Sequence, residues 1–288
     1  MSEQESSHGV GMMAKVLRVS RSGYYAWKAR SKSRRYQEDK ELEGLIRDIQ
    51  KKVKNRYGSP RMKRELLRHG LTVGHNRVAR IMRDAGLSAK PKRKYRVTTQ
   101  SGHSHPPAEN LLGRKFDVSQ PNRVWVSDIT YVATAEGWVY LCVILDLCGR
   151  TVVGWSISKS LGTDLVFDAL WMAFVKRRPS CGLMFHSDRG VQYASGAFRR
   201  VLSRKGIVQS MSRKGNCWDN ACAESFFKTL KTELIGRIIY TSRMAAREAI
   251  FEYIEVFYNR QRLHSSLDYR TPLEYEAWMG ENSGLLVS

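Results

Sequence analysis

The stretch "HSDRGVQYAS" (186–195) puts Asp188 straight after the apolar run "CGLMFHS". An aspartate there is ordinarily a turn former. Two other acids open a chemical alternative. Asp128 lies in the middle of "RVWVSDITYVAT" (123–134), whose alternation and β-branched and aromatic content predict a strand. Glu224 sits on "ACAESFFKTLKTEL", where Glu224, Lys228 and Lys231, spaced i, i+4 and i+7, share one helix face. Alone, that row is an ordinary set of helix ion pairs. Carboxylates are also the ligands that hard divalent cations prefer, so three of them could do chemistry if the fold brought them together. Asp146, Asp164 and Asp219 have simpler uses, before a turn or as helix caps.

The elements around these acids read as strand, strand, strand, helix, strand. "GWVYLCVILDLCGRTVVGWSIS" gives two buried strands about the turn "LCGR", 164–177 a helix, and 181–188 a short strand. "GAFRRVLSRKG" then predicts a helix and "IVQSMS" a strand, and the turn "RKGNCWDN" leads into the helix of Glu224, with Ala223, Phe227, Leu230 and Leu234 as its buried stripe. Asn220 or Asp219 could cap that helix; alternatively Trp218 and Asn220 could meet a base or sugar. "TPLEYEAW" has Thr271, Pro272 and Glu274 spaced as a capping box.

With 288 residues, 42% of them hydrophobic, the chain has room for one sizeable core and a smaller domain. Its formal charge of +22 points to a polyanionic partner. The surplus is local: residues 51–100 hold 16 Lys and Arg against 2 Asp and Glu. Leu42, Leu45, Ile46, Ile49 and Val53 mark one amphipathic helix. A second starts with Ser59 as cap and Pro60 in its first turn, turns Leu66 and Leu67 inward, and ends at Gly70. A third, ending at Gly86, buries Val78, Ile81, Met82 and Ala85 and presents Asn76, Arg80 and Arg83, with Arg77 at the edge. This is the helix-turn-helix plan for a DNA major groove, or else a plain helical hairpin with a solvated basic face. Arg61, Lys63, Asn76, Arg77, Arg80 and Arg83, with Lys92, Arg93 and Lys94 in "AKPKRKYR", are the candidate DNA contacts here. Upstream, "VLRVSRSGYYAWKARSKSRR" looks like half of another such unit. The domains expected are a basic segment 1–41, a helix-turn-helix domain 42–97, a linker 98–114, a larger α/β domain 115–280 that carries the three acids, and a tail 281–288. The five cysteines form no C-x-x-C pair, so neither a disulfide framework nor a zinc site is expected. No apolar run spans a membrane and no secretory signal opens the chain, so a cytoplasmic protein is expected.

Taken together, Asp128, Asp188 and Glu224, with 35 residues between the last two, form a D, D(35), E pattern. Here the sequence resembles the DDE transposases of the insertion-sequence-three family, whose catalytic core is retroviral-integrase-like. The resemblance is carried by "WVSDITYV", "HSDRGVQYAS", "DNACAESFFKTLKTEL" and "YNRQRLHSSLDYRTPLEY", in the family's order, and spans roughly residues 15 to 278.

The resemblance implies an α/β, RNase H-like fold, a mixed five-stranded sheet flanked by helices, preceded by the helix-turn-helix domain. It implies that Asp128, Asp188 and Glu224 are catalytic and hold two Mg²⁺ ions about 3.5 to 4 Å apart, with Mn²⁺ able to substitute. Arg189, Lys228 and Lys231 would contact DNA phosphates, and Gly190 would let the chain turn sharply after Asp188. The implied activity is cleavage at the ends of an insertion sequence, with water as nucleophile, then strand transfer by attack of a 3′-hydroxyl. Implied partners are the terminal repeats, target DNA, further copies of the chain on DNA, and an upstream-frame helix-turn-helix and leucine-zipper protein or fusion, in a bacterial, nucleoid-associated setting. An RNase H-like nuclease would account for the acids but less readily for the N-terminal helices. A non-catalytic DNA-binding regulator would account for the helices but not the acids.

Overall fold

The computed structural model describes residues 1–89, 108–214, 216–236 and 238–282. The N-terminal third is helical: α1 (Val10–Val16), α2 (Arg21–Ala29), α3 (Arg34–Lys52), α4 (Ser59–Arg68) and α5 (His75–Asp84). The α3 helix begins well before Leu42, because Ser33 Oγ caps it by accepting the Tyr36 N–H (3.2 Å). Its added turns carry Glu38 and Asp39 and no apolar stripe, so hydrophobic spacing does not mark them; position 42 falls inside the helix. Leu42, Ile46, Ile49 and Val53 meet Met62 and Leu66 of α4 and Val78, Ile81 and Met82 of α5 in one core. Two local expectations change. Leu67 is half exposed, and Gly58, not Ser59, stands at the cap of α4, since Ser59 Oγ is engaged with His75 Nε2 (3.1 Å). Gly70 and Gly86 close their helices at φ +78° and +67°, which glycine adopts without strain.

The rest of the chain builds one sheet from β1 (Val124–Thr134), β2 (Gly137–Asp146), β3 (Val152–Ser158), β4 (Met184–Ser187) and β5 (Val208–Met211), ordered β3-β2-β1-β4-β5. Short turns make β1, β2 and β3 antiparallel neighbours. The helical connections α6 (Thr163–Arg177), and α7 (Val191–Ala194) with α8 (Gly196–Arg204), let β4 and β5 run parallel to β1. Side-chain alternation divides the core. Trp125, Cys142, Ile144 and Phe185 point toward α6 and α8. Val126, Val132, Leu141, Val143 and Leu145 point to the opposite face, covered by α9 (Ala221–Leu230) and α10 (Arg243–Phe251). The α9 helix continues as a π turn over Lys231–Ile235, and α10 as a π-helical stretch over Glu252–Tyr258. The last helix, α11 (Pro272–Asn282), has the expected capping box: Glu274 Oε2 accepts the Thr271 N–H (2.9 Å) and Thr271 Oγ1 accepts the Glu274 N–H (3.2 Å).

The core of this second face runs on into the core of the N-terminal helices. Tyr57 stitches the two, donating its hydroxyl to the Gln261 carbonyl (2.8 Å) and accepting the Leu263 N–H (3.1 Å). Arg61 Nε donates to the Leu263 carbonyl (3.0 Å). The segment "YNRQRL" is thus the seam between helical unit and sheet. Asn259 extends it by pairing its side-chain amide with the Val152 N–H (2.9 Å) and carbonyl (3.0 Å).

On the other face α6 lies so close to β3 that a Cβ at Gly154 would stand 2.3 Å from the Ala169 carbonyl and 2.7 Å from the Ala173 methyl. Gly154→Ala is therefore expected to destabilise the chain by about 1–3 kcal/mol through overpacking, read as a lower denaturation midpoint at unchanged slope; an unchanged midpoint would mean that α6 can move away at no cost.

Candidate active site

The parallel register of β1 on β4 pairs Val124 with Met184 and continues to Ser127 with Ser187. The next residue on each strand is an acid, so Asp128 and Asp188 stand side by side at the adjoining strands, on the face that α9 covers. Asp128 accepts the N–H of Ile129 (2.7 Å), and Asp188 Oδ1 accepts the N–H of Gly190 (2.9 Å). Gly190 makes no left-handed turn, and a side chain there would be crowded. Its φ is −58°, but a Cβ there would come within 3.0 Å of Asp188 Oδ1 and 3.1 Å of Gln192 Oε1. Behind the acids, Ser127 Oγ and the buried Tyr193 hydroxyl are 2.8 Å apart. His186, held between Ser210 (2.9 Å) and Ser212 (3.2 Å), is pushed by burial to a pKa of about 4 and so stays neutral.

Glu224 comes to this place on α9, whose start is pinned by two side chains. Asn220 does not cap the helix; its Nδ2 donates to the carbonyl of Ser127, next to Asp128 (3.1 Å). Asp219 is fully buried and accepts from the Arg213 N–H and guanidinium (2.9 Å each), Arg114 Nε (2.9 Å) and Asn110 Nδ2 (2.8 Å). The Arg213 side chain, above all, holds the Asp219 carboxyl far below the usual carboxylate range. Trp218 is exposed. The far end of the helix is also fixed. The π turn directs Glu233 inward to Arg262 (Nη2 2.9 Å, Nε 3.0 and 3.1 Å) and to the Tyr253 hydroxyl (2.8 Å).

The acids sense one another. Burial raises the Asp128 pKa well above the carboxylate range, Asp188 and Glu224 raise it further, and the Ile129 N–H and Lys231 oppose them. Glu224 is raised too, by burial first and then by Asp188. The donor set is all oxygen. Among the described residues, no three His, Cys, Asp or Glu side chains close on a common point as a finished metal cage; the carboxylates are gathered without being locked together.

The basic residues divide into groups. Lys228 is exposed on α9, and Lys231 Nζ lies 5.6 Å from the Tyr131 ring centroid. Arg189 Nε donates to the Ser212 carbonyl (2.7 Å). Asn76, Arg83 and Lys63 are exposed, whereas Arg77 is tied to Asp39 (2.7 Å) and Glu38 (3.3 Å), and Arg80 to Asp39. Arg61 faces the seam with the core rather than solvent, because its guanidinium meets the Leu263 carbonyl and Glu233. Lys92, Arg93 and Lys94 lie outside the described residues. The partners of Arg77 and Arg80 come from the first turns of α3, which apolar spacing does not reveal. The Glu233–Arg262 pair lies in segments where only the resemblance marks "YNRQRLHSSLDYR".

A helical DNA-binding-type unit joined to a mixed sheet that gathers acids from two parallel strands and a helix defines an integrase-type core with its accessory domain. Residues 118–217 and 205–272 match the integrase core domain, and residues 37–95 match an HTH-like domain. The chain is 44% identical over 263 residues to the insertion element IS600 uncharacterized 31 kDa protein of Shigella sonnei, covering 91% of this chain and 97% of that one. It is 40% identical over 276 residues to the transposase InsF for insertion sequence IS3A of Escherichia coli strain K12, covering 95% and 96%. The intasome of simian T-cell lymphotropic virus aligns more distantly, at TM-score 0.45 and 16% identity over 74% of this chain and 70% of that one. The chain belongs to the insertion-sequence-three family of transposases. It is a DDE-type polynucleotidyl transferase that cleaves and joins DNA.

A carboxyl whose pKa is raised by folding supports the fold below its ordinary value and withdraws that support as pH rises through the raised one. In metal-free protein near neutral pH, Asp128→Asn is thus expected to raise the melting temperature, by roughly 2–4 °C for each kcal/mol of relief. The gain should vanish only below the ordinary carboxylate value, where the unfolded chain is protonated as well. A lower melting temperature for the variant at neutral pH would contradict the like-charge crowding.

Proposed function

We propose that Asp128, Asp188 and Glu224 are the catalytic residues and hold two Mg²⁺ ions, with Mn²⁺ able to substitute. The single observation that carries this is the register of β1 on β4, which sets Asp128 beside Asp188 under the helix that bears Glu224. The donor set fits: three carboxylates, two of them with pKa values raised by burial first and then by the neighbouring acids, are what a hard divalent cation neutralises. When bound, the ions would stabilise the attacking and leaving oxygens of a phosphodiester exchange.

The chain's own groups have the remaining tasks. Asp128 would meet the ion as its carboxylate. The Ile129 and Gly190 N–H groups hold the two aspartate side chains in place, one within β1 and one just past β4. Lys228 and Lys231 lie along the helix from Glu224 and contact the phosphates of the reacting strand. Water attacks in cleavage and a DNA 3′-hydroxyl in strand transfer, each breaking a P–O bond as the new one forms, with no covalent link to the protein.

The helical unit binds the terminal repeats, through Arg83, Asn76 and Lys63 first, because their side chains are exposed. Arg77 and Arg80 reach DNA only by exchanging Asp39 for phosphate. Copies of the chain assemble on DNA, with target DNA and an upstream-frame helix-turn-helix and leucine-zipper partner, in the bacterial nucleoid. No helix of the described residues is long and apolar enough to cross a membrane.

Incubating a labelled DNA end and a target duplex with Mg²⁺ and either wild type or Asp188→Asn tests the triad. Joined product is expected to fall by at least about 100-fold, the scale on which a group acting at the transition state is felt, while DNA binding persists. Undiminished joining would remove Asp188 from the mechanism, and cleavage without joining in wild type would make the chain a nuclease. Separately, Arg83→Gln should weaken DNA binding similarly across sequences and make the salt dependence shallower by about one; sequence-selective weakening would instead place Arg83 on a base.

A further inference from the structure

A cavity of about 800 Å³ lies between the helical unit, the flank of α9 and the C-terminal segment. Five cationic side chains line it, Arg56, Arg61, Arg150, Lys228 and Arg262, and the only carboxylate among its lining residues is Glu233. Most of these cations are engaged. Arg262 and Arg61 converge on Glu233 (2.9 and 3.4 Å), and Arg150 donates to Cys222 Sγ (2.7 Å) and the Phe116 carbonyl (3.1 Å).

Arg56 differs. It is only 4% exposed, its guanidinium lies 4.3 Å from the Phe257 ring centroid and 5.0 Å from that of Tyr253, and its Nε has no hydrogen-bond partner. A buried guanidinium donor left unmatched is costly, and an anion in the cavity would match it. Lys228 makes no ion pair among the described residues, and Ser225 and Thr229 of α9 add neutral hydroxyls to the same wall. A concave, low-dielectric wall of one sign focuses potential on an anion.

We propose that this cavity is a phosphate site, and that its occupant is a backbone phosphate of the DNA strand being processed, held beside the flank of α9 that adjoins Glu224. The proposal rests on the transposase reading above and adds a second contact region to it: the strand passes between the helical unit and the core as well as over the acids. Free phosphate or pyrophosphate shares the chemistry, so the test separates the sources.

The test compares wild type, Arg56→Gln, Arg56→Lys and Thr229→Glu for binding of a labelled DNA duplex across a salt series, without divalent metal. Losing one phosphate contact should make the slope of log affinity against log salt shallower by roughly 0.9. Arg56→Gln and Thr229→Glu are expected to show this and Arg56→Lys to keep most of the wild-type slope. Thr229 is only partly buried, on the wall of the cavity, so its variant guards against a folding defect in Arg56→Gln. In parallel, iodoacetamide alkylation of Cys222, which also lines the cavity, should be slowed several-fold by DNA. An unchanged slope in a folded Thr229→Glu would overturn the proposal, as would protection of Cys222 by pyrophosphate and not by DNA. Because binding is read without metal, altered slopes with no joining would fail the triad alone, and unaltered slopes with intact joining would fail the cavity alone.

Discussion

The structure depends on the parallel pairing of β1 with the four-residue strand β4. It puts two aspartates, 60 positions apart in the chain, side by side, Asp128 within β1 and Asp188 just past the end of β4, where Asp128, already disfavoured as a charge by burial, is made harder still to ionise by Asp188. Nothing in the pairing itself favours that juxtaposition. It is imposed by apolar packing: Trp125 and Phe185, both fully buried on the opposite face, lock the register against α6 and α8. A slip of β1 by one residue would turn Asp128 toward that core and Trp125 away from it. The hydrophobic pattern thus enforces what the carboxylates resist.

The third acid needs a different device, because a helix over a sheet is free to slide unless polar contacts fix it. Here α9 is held at both ends. At its start Asn220 is bonded to the Ser127 carbonyl and Asp219 is clamped by Arg213 and Arg114. At its finish the π turn buries Glu233 against Arg262, Tyr253 and Arg61. Removing one member of so buried a pair typically costs about 3–5 kcal/mol. The same residues join the helical unit to the core, so the contacts that place Glu224 also set the side of the molecule on which the basic helices stand.

Much of this was legible in the sequence. The five strands, the helix after β3, the left-handed glycines and the Thr271 capping box are local signals, and the structure realises each of them close to where spacing and turn chemistry put them. The acids are grouped by their D, D(35), E spacing and the family resemblance, with Asp146 read as preceding a turn and Asp164 as a helix cap. Asp146 proves fully buried, accepting the Asn122 and Cys148 N–H groups. What local signals could not reveal were pairings between distant residues. Arg77 and Arg80 stand on the helix face that spacing assigned to DNA, yet Asp39, about 40 positions away, meets both. Arg61 reads as one more basic surface residue until the chain returns at Leu263 to accept its N–H. Polar contacts of that range have no period and leave no mark on hydrophobic patterning.

The most direct measurement is the anomalous scattering of Mn²⁺ diffused into crystals of the protein. A peak is expected within about 2.0–2.3 Å of carboxylate oxygens of both Asp128 and Asp188, with Glu224 drawn toward a second. Mn²⁺ held elsewhere, with these three carboxylates unliganded at saturating metal, would contradict the triad.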